Sequence, residues 1–339
     1  MMMKKMTSTI KTFIKEEYKM ILFFVLLYII FQIPVNYYIV TGGGISDVSS
    51  RIEVEDAYDS KGSFNISYVK ELKGTVITYL FSYIFPHWER EDANTYKYTE
   101  EESIEDIEFR SDLDLKTANG NAMYWAYTLA NVPIQKENSA LYVIIVFPEQ
   151  KTPLKVGDEI LFVDGTRYET VQEYRDYFQT KKEGDLISIH IRRKGKEQVI
   201  EAPLYLYEDH LILGVGLQYV HEYTSSKDVK IQFRSSESGP SGGLITTLEI
   251  YNQLTKQDLT KGKSIAGTGT IEEDGTIGEI GGIEHKLLGA MDAGADIFLV
   301  PSGRNYKDAL QYKKEKKMKI QLIEVKNIKD AVQKLEALQ

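Results

Sequence analysis

Two short strings hold the residues able to do chemistry. In the first, RSSESGPSGGLITTLEIYNQLTK, Ser241 follows Gly239 and Pro240 between an alternating strand, VKIQF, and an apolar helix. A serine at the first turn of a helix lies among unpaired backbone N–H groups, in a field that favours negative charge. An oxyanionic transition state is stabilised in that setting, with the N–H groups of Ser241 and its neighbour Gly242 as candidate donors. Serine is also a favoured helix cap and Gly-Pro a common turn, so Ser241 alone reads as a plain cap. The second string, SIAGTGTIEEDGTIGEIGGIEHKLLGAMDAGADIFLVP, changes that balance. Two alternating strands meet at Asp274-Gly275, a hairpin signal, and Gly281-Gly282 then opens an amphipathic helix containing Lys286. Its neighbours on the helix include Ile283, Leu287 and Met291, and a lysine held against apolar surface is desolvated, which lowers the pKa of its amine.

The composition narrows the alternatives. The chain has 339 residues, 41 Lys+Arg against 50 Asp+Glu, and no Cys. Thiolate metal sites, disulfides and a cysteine nucleophile are excluded, leaving Ser, Thr or Lys for nucleophilic chemistry. A net charge of −9 argues against a nucleic-acid partner, which requires a basic face. The string QDLTKGKS at 257–264 ends like a phosphate-binding loop, but Gln257 stands where its first glycine belongs, so no nucleotide is expected. The acidic run Glu272-Glu273-Asp274 reads as a solvated hairpin tip, and no metal or cofactor is expected. A triad of Ser241 with His285 and Asp292 or Asp296 is the catalytic alternative. His285 and Lys286 point about 100° apart on one helix, so only one of them faces Ser241.

The reactive strings need elements to position them. Residues 20–40 carry no charge and, as one helix, would rise ~31 Å, which matches a ~30 Å hydrocarbon core. Lys4, Lys5, Lys11, Lys15 and Lys19 precede this segment against Glu16 and Glu17, which predicts a cytoplasmic N-terminus at 1–19 and an extracellular remainder. Residues 45–117 read as a small mixed region, extended to about Phe85 and then acidic and solvated from Glu89 to Asp114. A helix over 118–132 and alternating strands to Leu206 form the next unit, and 207–339 the last.

Within 118–206, Leu154, Gly157, Asp158, Ile160, Val163, Asp164 and Gly165 resemble the L-x-x-GD-x-I-x-x-V-x-G core of PDZ domains, with a helix and strands in PDZ order. The resemblance implies that a peptide adds as a strand beside Leu141, Tyr142, Val143 and Ile144, its side chains entering a groove against the helix at 170–179. The preceding loop, KENSA, lacks a glycine-rich carboxylate cradle, which points to an internal segment rather than a free C-terminus.

Gly239-Pro240-Ser241-Gly242-Gly243 and Gly281-Gly282-Ile283-Glu284-His285-Lys286 together resemble the proteolytic domain of the Lon family, with its G-P-S-x-G and G-G-x-x-x-K motifs. The 45-residue separation, the intervening I-A-G-T-G-T-I and the later V-P-S-G-R-N fit the same pattern. The resemblance implies a Ser241–Lys286 dyad, with Thr268 as a candidate orienting third member, and ring-forming self-association. Two positions depart from the family: Gly242 stands where many members have Ala, and Ser238, with Glu237 before it, stands where they carry an acid. The whole layout resembles the membrane-anchored Lon-like proteases of Gram-positive bacteria, the YlbL type. The expectation is an α+β multidomain chain with a single transmembrane helix, a PDZ domain and a Lon-like α/β domain. Its function would be ATP-independent serine endopeptidase action on extracytoplasmic polypeptides, with an inactive membrane-anchored PDZ scaffold as the alternative.

Overall fold

The computed structural model describes residues 2–233 and 239–338, with side chains from Lys15 onward. The chain divides into two units, Met1–Gly42 with Lys70–Tyr96, and Gly43–Val69 with Lys97–Gln339.

In the first unit a helix, Met2–Phe31, ends where Pro34 opens a strand, Pro34–Asp47. Proline lacks the N–H that a continuing helix needs and pushes the residue before it toward extended backbone. The expected spanning helix over 20–40 is therefore not formed. Its second half is strand, pairing antiparallel with Glu89–Asp92 through Tyr37↔Asp92 to Val40↔Glu89. Among the described residues no helix is long and apolar enough to cross a membrane.

In the larger unit the strand Ser264–Gly267 lies between Ser63–Thr75 and Ile297–Pro301, parallel to both, and Gln321–Val325 extends the sheet beyond Ile297–Pro301. Successive side chains alternate between its faces. Ile265, Ile297 and Leu299 join one core with Phe64, Leu244, Ile245, Leu248 and Leu335. Ala266, Phe298 and Val300 join the opposite core with Ile283, Leu287, Ala290 and Ala309. A parallel sheet clothed by helices on both faces buries its strands completely, and every residue of Ile297–Pro301 is buried.

The helix Gly243–Leu254 is buried along its whole length, because it packs on the sheet and also beneath the helix Ile104–Leu129, whose Ala122, Ala126 and Tyr127 share its core. Residues 45–69 and 97–117, assigned from sequence to a separate mixed region, thus belong to this unit, whereas 70–96 belong to the first, and the expected boundary at 117/118 falls inside one helix. The acidic stretch ending at Asp114 is not a solvated connection: from Ile104 it is helical, and Arg110 forms a buried ion pair with Glu102 and stacks over the Tyr98 ring at 3.7 Å.

Burial raises the Glu249 carboxyl above the usual carboxylate range, although Gln253 Nε2 donates to its Oε1 at 2.7 Å. Between the unfolded and the folded pKa the folded state thus holds a proton that the unfolded chain has released. That contribution to stability is complete below the unfolded pKa and is lost as pH rises through the folded one. Glu249→Gln is expected to raise Tm at pH 7, with the gain closing toward pH 4. Thermal scans across that range check it, and an unchanged or lower Tm at pH 7 would contradict it.

The PDZ-like part is a five-stranded antiparallel sheet in the order Val215–Ser225, Ile134–Val146, Glu159–Val163, Leu186–Arg193, Lys196–Pro203. The helix Val171–Gln179 is held by a capping box between Thr170 and Glu173. The L-x-x-GD string has a physical basis here. Leu154 fills the core, Gly157 takes a φ of 87°, and fully buried Asp158 pairs through both oxygens with Arg193 at 2.6 Å while accepting the Lys155 N–H.

One expectation fails in this domain. Leu141, Tyr142 and Val143 lie in a strand with neighbours on both sides, so no added strand can pair there, and Ile144 lies in the same strand. The strand at 215–225, assigned from sequence to the last domain, takes the place expected for the peptide and is itself the sheet edge.

Candidate active site

The reactive residues converge at the carboxyl ends of the parallel strands, where open α/β sheets place their sites. Ser241 is the middle residue of a single 3-10 turn, Pro240–Gly242, entered through Gly239 and continued as the buried helix Gly243–Leu254. Pro240 suits a first helical position because its missing N–H would have no helical partner there. The turn is pressed against its neighbours. A Cβ on Gly242 would stand 2.8 Å from the Ile66 side chain, and one on Gly243 would stand 2.9 Å from the Ile271 backbone nitrogen. An Ala at position 242 would displace only a flexible methyl, whereas position 243 faces backbone.

Lys286 lies on the helix Ile283–Asp292, directly after Gly281 and Gly282. Its Nζ is 3.1 Å from Ser241 Oγ and 3.2 Å from Thr268 Oγ1. Thr268 is fully buried and Lys286 only 5% exposed, while Ser241 is half-buried. The Thr268 hydroxyl donates to the Ser241 carbonyl at 3.1 Å, and the Gly269 N–H donates to the same oxygen at 2.8 Å. Gly269 in turn accepts the Leu244 N–H at 3.1 Å, so the Thr268–Gly269 step is bonded to both sides of the Ser241 turn.

These contacts assign a direction to each proton. Because Thr268 gives its hydrogen to the Ser241 carbonyl, its lone pairs face the lysine and accept an N–H. In a neutral amine that arrangement leaves the nitrogen lone pair available for the Ser241 hydroxyl. Gly242 N–H lies in the first turn of the helical segment, among groups that have no helical partner.

Asp296 accepts the Ser264 N–H at 2.8 Å, at the opposite end of the strand that leads to Thr268, and Asp292 is exposed at the last turn of its helix. The catalytic alternative that used either acid is therefore not assembled around Ser241. Ser238 and Glu237 lie outside the described residues.

Three positioning groups escaped the sequence reading. Ser67, from the strand Ser63–Thr75, donates its hydroxyl to the Lys286 carbonyl at 2.8 Å, and nothing local in the sequence signals it. Gly269 has a φ of 147°, a value that only the backbone geometry reveals. Asn305 clamps Ile280 twice, accepting its N–H at 2.8 Å and donating to its carbonyl at 3.0 Å, just ahead of Gly281. That asparagine ends the V-P-S-G-R-N string, where a signal was present.

Residues 219–338 match the Lon protease (S16) C-terminal proteolytic domain, and residues 131–204 match a PDZ domain. The Lon protease of Phenylobacterium zucineum (strain HLK1) is 29% identical over 182 residues, covering 52% of this chain and 21% of that protein. The Lon protease of Neorickettsia sennetsu is 30% identical over 117 residues, covering 34% of this chain and 14% of its own length. The chain therefore spans only 14% and 21% of these two curated relatives. Among solved structures, the PDZ domain of an SdrC-like protein from Listeria monocytogenes is 25% identical, covers 24% of this chain and 92% of its own, and has a TM-score of 0.22. The chain carries a region similar to the Lon proteolytic domain and another similar to PDZ domains, and these matches support a serine peptidase.

Proposed function

We propose that the chain is an ATP-independent, membrane-associated serine endopeptidase with a Ser241–Lys286 dyad, to which the PDZ domain delivers polypeptide. The observation that carries this reading is the 3.1 Å approach of a buried lysine amine to the serine at a helix start. Burial disfavours the ammonium form. Neutral Lys286 takes the proton of Ser241 as Oγ attacks the peptide carbonyl, and first-turn N–H groups, Gly242 among them, receive the developing oxyanion. The amide C–N bond then breaks, and the proton on Nζ passes to the departing amine. A water attacks the acyl-serine and gives a proton back to Nζ, and Ser241 is released with its hydrogen. Thr268 and Ser67 act as positioning residues, one holding the amine and the other the backbone that carries it.

Delivery would use the outer edge of Val215–Ser225. Val143 spends its N–H on Asp158 and its C=O on Gly157, both at 2.9 Å. Its partner in the other ladder, Leu217, therefore sits at a non-hydrogen-bonded position, with its own N–H and C=O turned outward, and Tyr219 repeats this two residues on. Beside this edge a cavity of ≈ 310 Å³ is lined by Tyr219, His221, Thr170, Val171, Lys136 and, from the catalytic hairpin, Glu273. A segment held there would touch the hairpin that leads back to Thr268, which makes the second encounter intramolecular.

Two experiments test the proposal. Incubation with an unfolded polypeptide and no nucleotide should give cleavage by the wild type and none by Ser241→Ala; nucleotide-dependent cleavage would reject ATP independence. Hydrogen exchange on the Ser241→Ala chain should show added amide protection at Leu217 and Tyr219 when polypeptide is present. Unchanged exchange there would reject the edge as the recruiting surface.

A further inference from the structure

The first unit has a second apolar surface besides its helix. No residue of the short helix Val76–Phe81 is buried, and the chain beyond it keeps the same character: Leu80, Phe81, Tyr83, Ile84 and Phe85 are all exposed, Ile84 at 69%. Single exposed apolar residues are ordinary, but five within six positions form a patch that needs an occupant. The turn is not loose. Ile84 and Phe85 N–H groups both bond to the Phe81 carbonyl at 2.9 Å, and the Phe81 and Phe85 rings meet edge to face at 5.5 Å.

The neighbouring helix identifies the occupant. In Met2–Phe31, the consecutive residues Leu22, Phe23, Phe24, Val25 and Leu26 are each roughly half exposed or more. Five consecutive helical residues sweep a full turn, so apolar side chains leave every face. A protein groove covers one stripe of a helix, whereas lipid can surround it. The apolar part at 20–31 is about 18 Å long, little more than half of a ~30 Å hydrocarbon core. The second patch starts where this one stops: Val76 N–H donates to the Ile33 carbonyl at 3.0 Å, and the Tyr37 and Tyr79 rings lie 5.2 Å apart. At its far end Trp88 packs on Phe85 at 5.1 Å, and the Arg90 guanidinium sits 4.0 Å over the Tyr83 ring. Aromatic rings with polar tips beside a cation are the composition favoured at headgroup level.

We infer that residues 76–90 form a second bilayer contact, with Leu80, Ile84 and Phe85 entering the acyl region and Tyr83, Trp88 and Arg90 at the headgroups. The inference rests on the membrane association proposed above and goes beyond it. The two elements together make an interfacial seat, and an amphipathic surface of this kind binds in proportion to the apolar area it buries.

Trp88 is one of two tryptophans in the chain, so its fluorescence reports the contact. The full chain is floated with phosphatidylcholine–phosphatidylglycerol vesicles whose acyl chains are brominated near the headgroup. Co-flotation is expected, with bromine quenching that disappears in Trp88→Phe. The Leu80→Asp/Ile84→Asp chain, altered only at exposed positions, should bind at least ~100-fold more weakly, because two apolar side chains no longer enter the acyl region. Co-flotation without Trp88 quenching, with the double variant binding as tightly as wild type, would overturn the second contact and leave the helix as the anchor. Failure of the wild type to float would overturn membrane association itself, and this inference with it.

Discussion

Ser241→Ala and Lys286→Ala should each lower kcat/KM for polypeptide cleavage by on the order of 10⁴ or more, and the double variant should be no worse than either. The reason is geometric. Lys286 Nζ is 3.1 Å from Ser241 Oγ, so in the proposed dyad the serine without its base is an ordinary alcohol, and the lysine without the serine has no proton to accept. Lys286→Arg should be as inactive as Lys286→Ala, since a guanidinium stays protonated and cannot accept the serine proton. Steady-state rates on one fluorogenic polypeptide check all four chains. Additive losses, or substantial activity in the arginine variant, would mean that the two residues do not act as a unit.

Gly269→Ala has the second largest expected effect, although Gly269 carries no reactive group. Its φ of 147° lies where residues with a Cβ rarely go, and an added Cβ would stand 2.6 Å from Ile277 Cγ2. Relaxing that strain, about 1–3 kcal/mol, moves the step that bonds to the Ser241 carbonyl and to Leu244 N–H. A displacement of about 1 Å at the reacting groups costs roughly 100-fold in rate. The variant should therefore fold with a lowered Tm and show a fall in kcat of that order. A chain that loses stability but keeps its kcat would show that the step does not position the serine.

Much of this site could be read from the sequence, because its signals are local. Gly-Pro before Ser241, the Asp274-Gly275 hairpin and Gly281-Gly282 ahead of Lys286 each determine backbone within a few residues, and the helix Ile283–Asp292 and the strands at 270–271 and 277–278 fall where those signals put them. The Thr268 approach to the lysine also matches its position just after the strand Ser264–Gly267.

Long-range pairing was not readable. Ser63–Thr75 borders Ser264–Gly267 across about 200 residues of chain, so Ser67 and Ile66 gave no local hint of their place. The same holds for Val215–Ser225, which looks like any alternating strand until its register with Ile134–Val146 is known. Hydropathy misled at residues 20–40, because an uncharged run satisfies a helix and a strand alike and Pro34 decided between them.

The most direct test of the central claim is to trap the acyl-enzyme. Wild type and Lys286→Ala chains are mixed with an unfolded polypeptide without nucleotide, quenched in acid within milliseconds to seconds, and digested for mass spectrometry. A substrate fragment esterified to Ser241 is expected in the wild type and none in Lys286→Ala. Cleavage by the wild type that persists in Ser241→Ala, with no adduct on that serine at any time, would contradict it.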